Sequence, residues 1–181
     1  DIFKYKIEED YYDIIFFHQS LHHIKNVDNF LKTKVSSWLK LNGNVVINEF
    51  VGENRMQHSK YQINAINKAL EIIPIKYKSR FKTGHLKTKF YGSGILRMIL
   101  ADPSECVDSS NIIKSLHKHF NPIVEKGFGG NIIMNVLKDI SHHFIENNEE
   151  KEKILKKLFQ FEDAYLKSNK SDFVFGIYQK K

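Results

Sequence analysis

The first fifty residues contain the pattern that most constrains the fold of this chain. Tyr12–Phe17 is continuously apolar apart from Asp13, which is typical of a strand buried on both faces. Apolar residues at helical spacing then fill Val27–Leu39, and Gly43 follows the expected last turn. Asn44–Phe50 is a second short run rich in β-branched residues. Two strands joined through one helix by short links predict a parallel βαβ crossover.

The alternation of strands and helices continues along the rest of the chain. The stretch "DPSE" predicts a helix start with Asp102 as N-cap, and a second start is expected near Ser109 or Ser110. Residues 53–101 show helical spacing but no clear strand, which indicates a helical insert over the sheet. Further helices are predicted at 61–73, 132–144 and 149–166, and further strands at 120–126 and 171–180. The sequence therefore predicts an α/β fold with a single domain over residues 1–181.

Composition limits the possible partners and compartments. The 181 residues carry a formal charge of +7, which permits attraction to anionic partners, but the lysines are scattered and form no phosphate-binding stripe. Nucleic-acid binding is therefore not favoured. Cys106 is the only cysteine, so no intrachain disulfide can form and the cytoplasm is the default compartment. No apolar stretch approaches the ~20 residues that span a bilayer, so no membrane partner is expected.

Polar side chains follow the two predicted parallel strands. "HQSLHHI" follows the first strand and "NEFVGENRMQ" closes the second. Ligands of open parallel sheets bind beyond the carboxyl ends of the strands, which makes these stretches the candidate site. Metal binding is not predicted, because adjacent histidines are expected to point apart and no cysteine or patterned carboxylate accompanies them. The candidate residues of the two stretches are His18, Gln19, Ser20, His22, His23, Glu49, Arg55 and Gln57.

The same residues carry a family resemblance. "YDIIFFHQSLHHIKNVDNFLKTKVSSWLKLNGNVVINEFVGENRMQ" resembles the fourth strand, following helix and fifth strand of class I S-adenosylmethionine-dependent methyltransferases. "INKALEIIP", "DPSECVDSS" and "GFGG" resemble later stretches of one branch of that family. The resemblance covers essentially the whole chain. It implies a Rossmann-like methyltransferase fold that is incomplete, with strands four to seven and a helical insert.

The resemblance also implies a cofactor, an acceptor and roles for individual residues. The cofactor is S-adenosylmethionine, with His18, Gln19 and Ser20 beside it and Asp1 and Ile2 near its adenine. Its glycine-rich turn and ribose-binding acid are expected ahead of Asp1, so this chain alone is expected to be inactive. The methyl acceptor is expected to be a small molecule that Arg55 and Gln57 contact. His22, His23 and Glu49 are the candidate catalytic residues.

Several alternatives stay open at this point. A histidine near pKa ~6.5 can remove a proton from an acceptor, but His22 could instead cap or pack at the following helix. Glu49 could serve as base or orient the acceptor, or it could cap a neighbouring helix or pair with Arg55. The chain could also be a non-catalytic interaction module derived from a methyltransferase fold. The apolar edge of the Tyr12–Phe17 strand invites pairing with another copy, which predicts a homo-oligomer.

Overall fold

The computed structural model describes residues 2, 4, 7–146 and 148–181 of the chain. Asp1, one of the predicted cofactor contacts, lies outside the described residues. The described strands form one four-stranded sheet in the order β1-β2-β4-β3. Their bounds are β1 Tyr12–His18, β2 Leu39–Phe50, β3 Phe120–Gly129 and β4 Phe173–Lys180. The α/β class and the four strands predicted from the sequence are thus confirmed.

The first two strands form the predicted parallel pair. Phe17 lies opposite Ile47 and His18 lies opposite Asn48, so the two strands end side by side. The crossover is helical without a break, as α1 Val27–Phe30, a π-helical Leu31–Val35 and α2 Ser36–Trp38. The prediction that Gly43 follows the helix as a stop is wrong, because β2 begins directly at Leu39. Pairing of Tyr12 with Leu39 draws these residues into the sheet.

One face of β1 and β2 is buried and the other is open. Phe17, Val45 and Ile47 belong to a hydrophobic core together with side chains of the crossover helices. On the opposite face, Ile14 and Phe16 are 60% and 58% exposed. The expectation that this strand is buried on both faces is therefore wrong. Among the described strands β1 is an outer strand of the sheet, and the core cluster lies on one side of it.

The chain divides into two compact units. The first contains the sheet and comprises residues 1–56, 95–128 and 173–181; the second comprises 57–94 and 129–172. The first unit also holds α4 Ile95–Ala101 and α5 Ile112–His119, and the second holds α3 Lys60–Glu71, α6 Ile133–Leu137 and α7 Glu149–Leu166. Most of the residues predicted as an insert thus belong to the second unit. The description of 1–181 as a single domain stays a prediction.

The second unit has its own core, which the helical pattern explains. Ile66 and Leu70 on α3, Val136 on α6 and Leu158 on α7 are buried together in one cluster. The helix predicted at 149–166 has those same bounds. The helix predicted over 132–144 is wrong in part, because α6 ends at Leu137 and Asp139 adopts a positive φ of 69°. A positive φ is incompatible with a continuous right-handed helix.

Two further predictions are settled in the first unit. No helix begins at "DPSE"; instead Asp102 Oδ1 accepts hydrogen bonds from the backbone N–H and the hydroxyl of Ser104, at 2.8 and 2.7 Å, and closes a turn. Cys106 then has a φ of 47°, which is incompatible with a helix. The second predicted start is confirmed, since α5 follows a short 3₁₀ segment at Ser109–Asn111. Within the described residues, no helix combines the length and apolar character that a membrane span requires.

Candidate active site at the ends of the parallel strands

Glu49 joins the two polar stretches that follow the parallel strands. It is the penultimate residue of β2 and is fully buried. Its Oε1 accepts the backbone N–H groups of Ser20 and Leu21 at 2.6 and 2.7 Å, and its Oε2 lies 2.7 Å from Nδ1 of His22. One carboxylate therefore closes the turn after β1 and fixes a histidine in it. The sequence left several roles open for Glu49. The structure shows one of them, because Glu49 caps the 3₁₀ turn at Leu21–His23.

The backbone before this turn explains why the chain reaches Glu49. Gln19 has a φ of 48°, a conformation that bends the chain sharply and that few non-glycine residues adopt. Its N–H donates to the carbonyl oxygen of Asn48 at 3.0 Å, and its side-chain Nε2 approaches the same oxygen at 3.3 Å. The chain after β1 thus folds back over the end of β2. Leu21–His23 then forms a single 3₁₀ turn with Leu21 and His22 buried.

The contact with Glu49 determines which nitrogen of His22 is free. A carboxylate only accepts hydrogen bonds, so the neutral His22 ring carries its proton on Nδ1 and a lone pair on Nε2. That Nε2 atom lies 3.8 Å from Oε1 of Glu105, which is too long for a hydrogen bond. In this arrangement Glu49 orients His22, as the third group of a catalytic triad orients the base. In its neutral form, His22 therefore presents an unprotonated nitrogen away from Glu49.

His23 is fixed in the same way by a different residue. Its Nδ1 lies 3.0 Å from the hydroxyl oxygen of Ser104, and that hydroxyl donates its own proton to Oδ1 of Asp102 at 2.7 Å. The oxygen of Ser104 therefore accepts from Nδ1–H of His23 and leaves a lone pair on Nε2. These bonds from Ser104 also lower the pKa of Asp102, which keeps it an acceptor. His23 Nε2 lies 3.7 Å from Oε2 of Glu105.

The two histidine rings lie close together. Their centroids are 4.4 Å apart and their planes meet at 38°. The expectation that adjacent histidines point apart is therefore wrong at this position. It holds for a regular helix or strand, whereas here a tight 3₁₀ turn sits between Glu49 on one side and Ser104 on the other. Both rings direct Nε2 toward the carboxylate of Glu105.

Arg55 holds the loop that carries Glu105. Its Nη1 donates to the carbonyl oxygens of Pro103 and Glu105 at 2.6 and 3.1 Å, and its N–H donates to the carbonyl oxygen of Cys106 at 2.7 Å. Arg55 itself has a φ of 60°. A role for Arg55 in acceptor binding stays a prediction, as does the role of Gln57, the first residue of the second unit.

Cys106 lies next to Glu105 and is not poised for attack. Its side chain is buried, and Sγ donates to Oε1 of Glu105 at 3.2 Å. Burial, followed by the bond to Glu105, raises the pKa of this thiol far above its ordinary value. The thiolate is the nucleophilic form of cysteine, so this residue stays an inert thiol.

Three of the residues predicted to contact the cofactor, His18, Gln19 and Ser20, lie at the end of β1. His18 is exposed, with its ring stacked on Phe16 at 6.0 Å, and Ile2 is exposed as well. Opposite His18, the Oδ1 atom of Asn48 is buried without a hydrogen-bond partner among the described residues. A buried polar atom without a partner costs about 1–3 kcal/mol. A ligand donor at this edge would remove that cost, so the residues present fit a polar cofactor here.

Four residues of the site were missed from the sequence: Asn48, Asp102, Ser104 and Glu105. Asn48 stands within a predicted strand and differs in no visible way from Asn44. The other three belong to "DPSE", whose carboxylates were assigned to a helix start. They are about 80 residues away from the histidines along the chain, and only the tertiary structure brings them together.

Comparisons with known proteins give similarity to solved structures only. No protein-family model matches the chain, and no curated protein matches it either. A phosphoethanolamine N-methyltransferase 2 from Haemonchus contortus, in complex with S-adenosyl-L-methionine, is 13% identical, with 99% of this chain and 36% of that chain covered and a TM-score of 0.48. An S-adenosylmethionine-dependent methyltransferase from Mesorhizobium loti is 12% identical, with 99% and 67% covered and a TM-score of 0.44.

A third solved structure is named for another reaction. It is the [4+2]-cyclase SpnF, 13% identical, with 99% of this chain and 54% of that chain covered and a TM-score of 0.43. The chain thus spans between about one third and two thirds of the length of these structures. Two of the three are S-adenosylmethionine-dependent methyltransferases. A shared fold can host unrelated reactions, so the function has to be argued from the site.

Proposed function

We propose that the protein containing this chain transfers a methyl group from S-adenosylmethionine to a small-molecule acceptor. The observation that carries the proposal is the contact of Glu49 with Ser20, Leu21 and His22. It joins the two stretches that resemble methyltransferase sequences, and it does so at the carboxyl ends of parallel strands, where open sheets bind ligands. The resemblance supplies the reaction, and the geometry supports the roles that we propose for Glu49, His22 and His23.

The acceptor side of the site is assigned to the two histidines. S-adenosylmethionine supplies an electrophilic methyl group when it is bound, and alignment with the acceptor provides most of the acceleration. The lone pairs on Nε2 of His22 and His23 can receive the proton that an acceptor hydroxyl or ammonium loses. Glu49 is proposed as a positioning residue and not as the base, because its two oxygens already accept three hydrogen bonds.

The cofactor side is assigned to His18, Gln19 and Ser20, with Asn48 added from the structure. Asp1 and Ile2 are retained as contacts on the basis of the resemblance alone. The sequence contains no GxGxG turn: the nearest stretch, "GFGG" at 127–130, continues with Asn131 and Ile132. We therefore propose that these 181 residues bind the cofactor weakly on their own, since such a turn supports the methionine part of the cofactor in the family they resemble.

Calorimetric titration of S-adenosylhomocysteine tests this function. The samples are the 181-residue chain and the longest natural form of the protein. We expect one cofactor per chain in the longest form, with weaker binding by the 181 residues. The matched variant is His18→Ala, which removes a proposed contact from an exposed position and is expected to lower the affinity of the longest form. Absence of binding in every sample would contradict methyl transfer and favour an interaction module.

Separately from the choice between enzyme and interaction module, the open face and outer position of β1 support self-association. We propose that two copies associate through this strand. Ile14 is 60% exposed on β1, and an outer strand offers backbone donors and acceptors to a second strand. Ile14→Lys is expected to reduce the mass measured by light scattering to that of one chain. Leu41→Lys, at an exposed position of β2, is the control. A single-chain mass for the unmodified protein would contradict the proposal.

A further inference from the structure

The two free histidine nitrogens and one carboxylate form a set of metal ligands. His22, His23 and Glu105 each offer one ligand atom, and these atoms all lie within 4.8 Å of one another. It is the one such group that the described part of the chain contains. We propose that these three residues bind one divalent transition-metal ion. Two imidazoles with one carboxylate are ligands that zinc and non-haem iron accept in proteins.

The hydrogen bonds around the group prepare it for a cation. A metal-bound histidine usually donates its other ring N–H to a carboxylate or another oxygen, which fixes the ring and its tautomer. Nδ1–H of His22 donates to buried Glu49, and Nδ1–H of His23 donates to the hydroxyl oxygen of Ser104. That hydroxyl in turn donates to Asp102. Both rings therefore carry the proton on Nδ1 and aim the Nε2 lone pair at the same place. Each ring is therefore held in the way that metal-binding histidines usually are.

The distances favour a cation over direct contact between the three residues. Nε2 of His22 and of His23 lie 3.8 and 3.7 Å from the two oxygens of Glu105. A protonated histidine paired with a carboxylate would approach to about 2.7–2.9 Å. Ligand atoms around zinc, with bonds of ~2.0–2.1 Å, are about 3.3 Å apart in a tetrahedron. The two distances to Glu105 exceed this spacing by about half an ångström, and all three ligand atoms lie within 4.8 Å of one another, so the side chains have to draw together to bind an ion.

The site is open on one side. His22 is buried, but the side chains of His23 and Glu105 are 34% and 27% exposed. Three protein ligands leave at least one position for water or an oxygen of a bound small molecule, as catalytic metal sites do. A cation here would take the lone pairs that otherwise receive a proton, and it would itself favour the ionised form of an acceptor oxygen. Metal binding itself does not depend on methyl transfer.

Titration of Zn²⁺ into the metal-free, untagged 181-residue chain, without S-adenosylmethionine, tests the inference. Calorimetry is expected to give one ion per chain, and Co²⁺ in its place is expected to give visible absorption bands. Glu105→Gln keeps the shape and the bond to Cys106 but removes the anionic ligand. We expect it to weaken Zn²⁺ binding by more than the 10- to 100-fold that loss of a supporting contact costs.

Two further variants make the result decisive. His23→Asn removes a partly exposed ligand and is expected to weaken Zn²⁺ binding as Glu105→Gln does, with circular dichroism showing a retained fold. The control is His142→Asn, since His142 also lies against a neighbouring histidine, His143, with ring centroids 3.9 Å apart, but outside any such ligand group in the described chain. Absent binding, or binding that Glu105→Gln and His23→Asn leave unchanged, overturns the inference, whatever the outcome for the cofactor.

Discussion

Replacing Glu49 with alanine is expected to lower the free energy of unfolding by about 3–5 kcal/mol, because three hydrogen-bond donors lose their acceptor. Glu49 is fully buried and accepts the N–H groups of Ser20 and Leu21 and the Nδ1–H group of His22. The substitution leaves these three donors without their acceptor, and each buried donor without a partner costs about 1–3 kcal/mol. Water entering the vacated space would recover part of that cost. Urea denaturation measures the effect.

The control for this experiment is a carboxylate in the segment that follows β2. Glu53 is exposed and lies four residues further along the chain. Substitutions at such surface positions usually change stability by less than about 0.5 kcal/mol, so Glu53→Ala is expected to unfold at nearly the same urea concentration as the unmodified protein. Equal stability of Glu49→Ala and Glu53→Ala would show that Glu49 does not support the turn.

The second large effect is expected from Glu49→Gln. This substitution preserves the shape of the side chain but replaces an accepting oxygen with a donating amide group. With Oε1 accepting the two backbone N–H groups, the new amide nitrogen faces Nδ1 of His22 and donates to it. His22 then carries its proton on Nε2, the atom that faces Glu105. Zn²⁺ affinity is expected to fall about 10- to 100-fold, while the loss of stability stays smaller than in Glu49→Ala.

The measurement for this variant is the same calorimetric titration, with Glu53→Gln as the control. If Glu49 had only a structural role, Glu49→Ala and Glu49→Gln would lose Zn²⁺ affinity in proportion to the stability that each of them loses. The account predicts that Glu49→Gln loses binding while it stays folded at the temperature of the titration. Unchanged affinity in folded Glu49→Gln would contradict the assigned tautomer of His22.

The strand order along the chain was largely predictable because local pattern determines it. Tyr12–Phe17 and Asn44–Phe50 read as strands from their β-branched and aromatic residues, and both lie in strands of the sheet. The open face of β1 was not predictable, since Ile14 and Phe16 look like buried residues in the sequence. Whether an apolar face is covered depends on packing, and a single-strand pattern does not contain that information.

The candidate site was predictable in part for a similar reason. The rule that ligands bind at the carboxyl ends of parallel strands placed His22, His23 and Glu49 together. The structure brings His22 into contact with both Glu49 and His23, although the catalytic roles stay predictions. Glu105 was not found because its position depends on Arg55 holding a distant loop. The orientation of the two rings was also missed, because a 3₁₀ turn directs neighbouring side chains differently from a regular helix.

The central claim is that buried Glu49 holds the His22 proton on Nδ1 and leaves Nε2 free. Its most direct test is nitrogen NMR of the protein labelled with ¹⁵N-histidine, recorded without metal near pH 8, above the ordinary histidine pKa of about 6.5. His22→Asn, which deletes one ring signal, assigns the resonances. The account predicts a His22 ring with a proton on Nδ1 and none on Nε2. A proton on Nε2 of His22 would contradict the account.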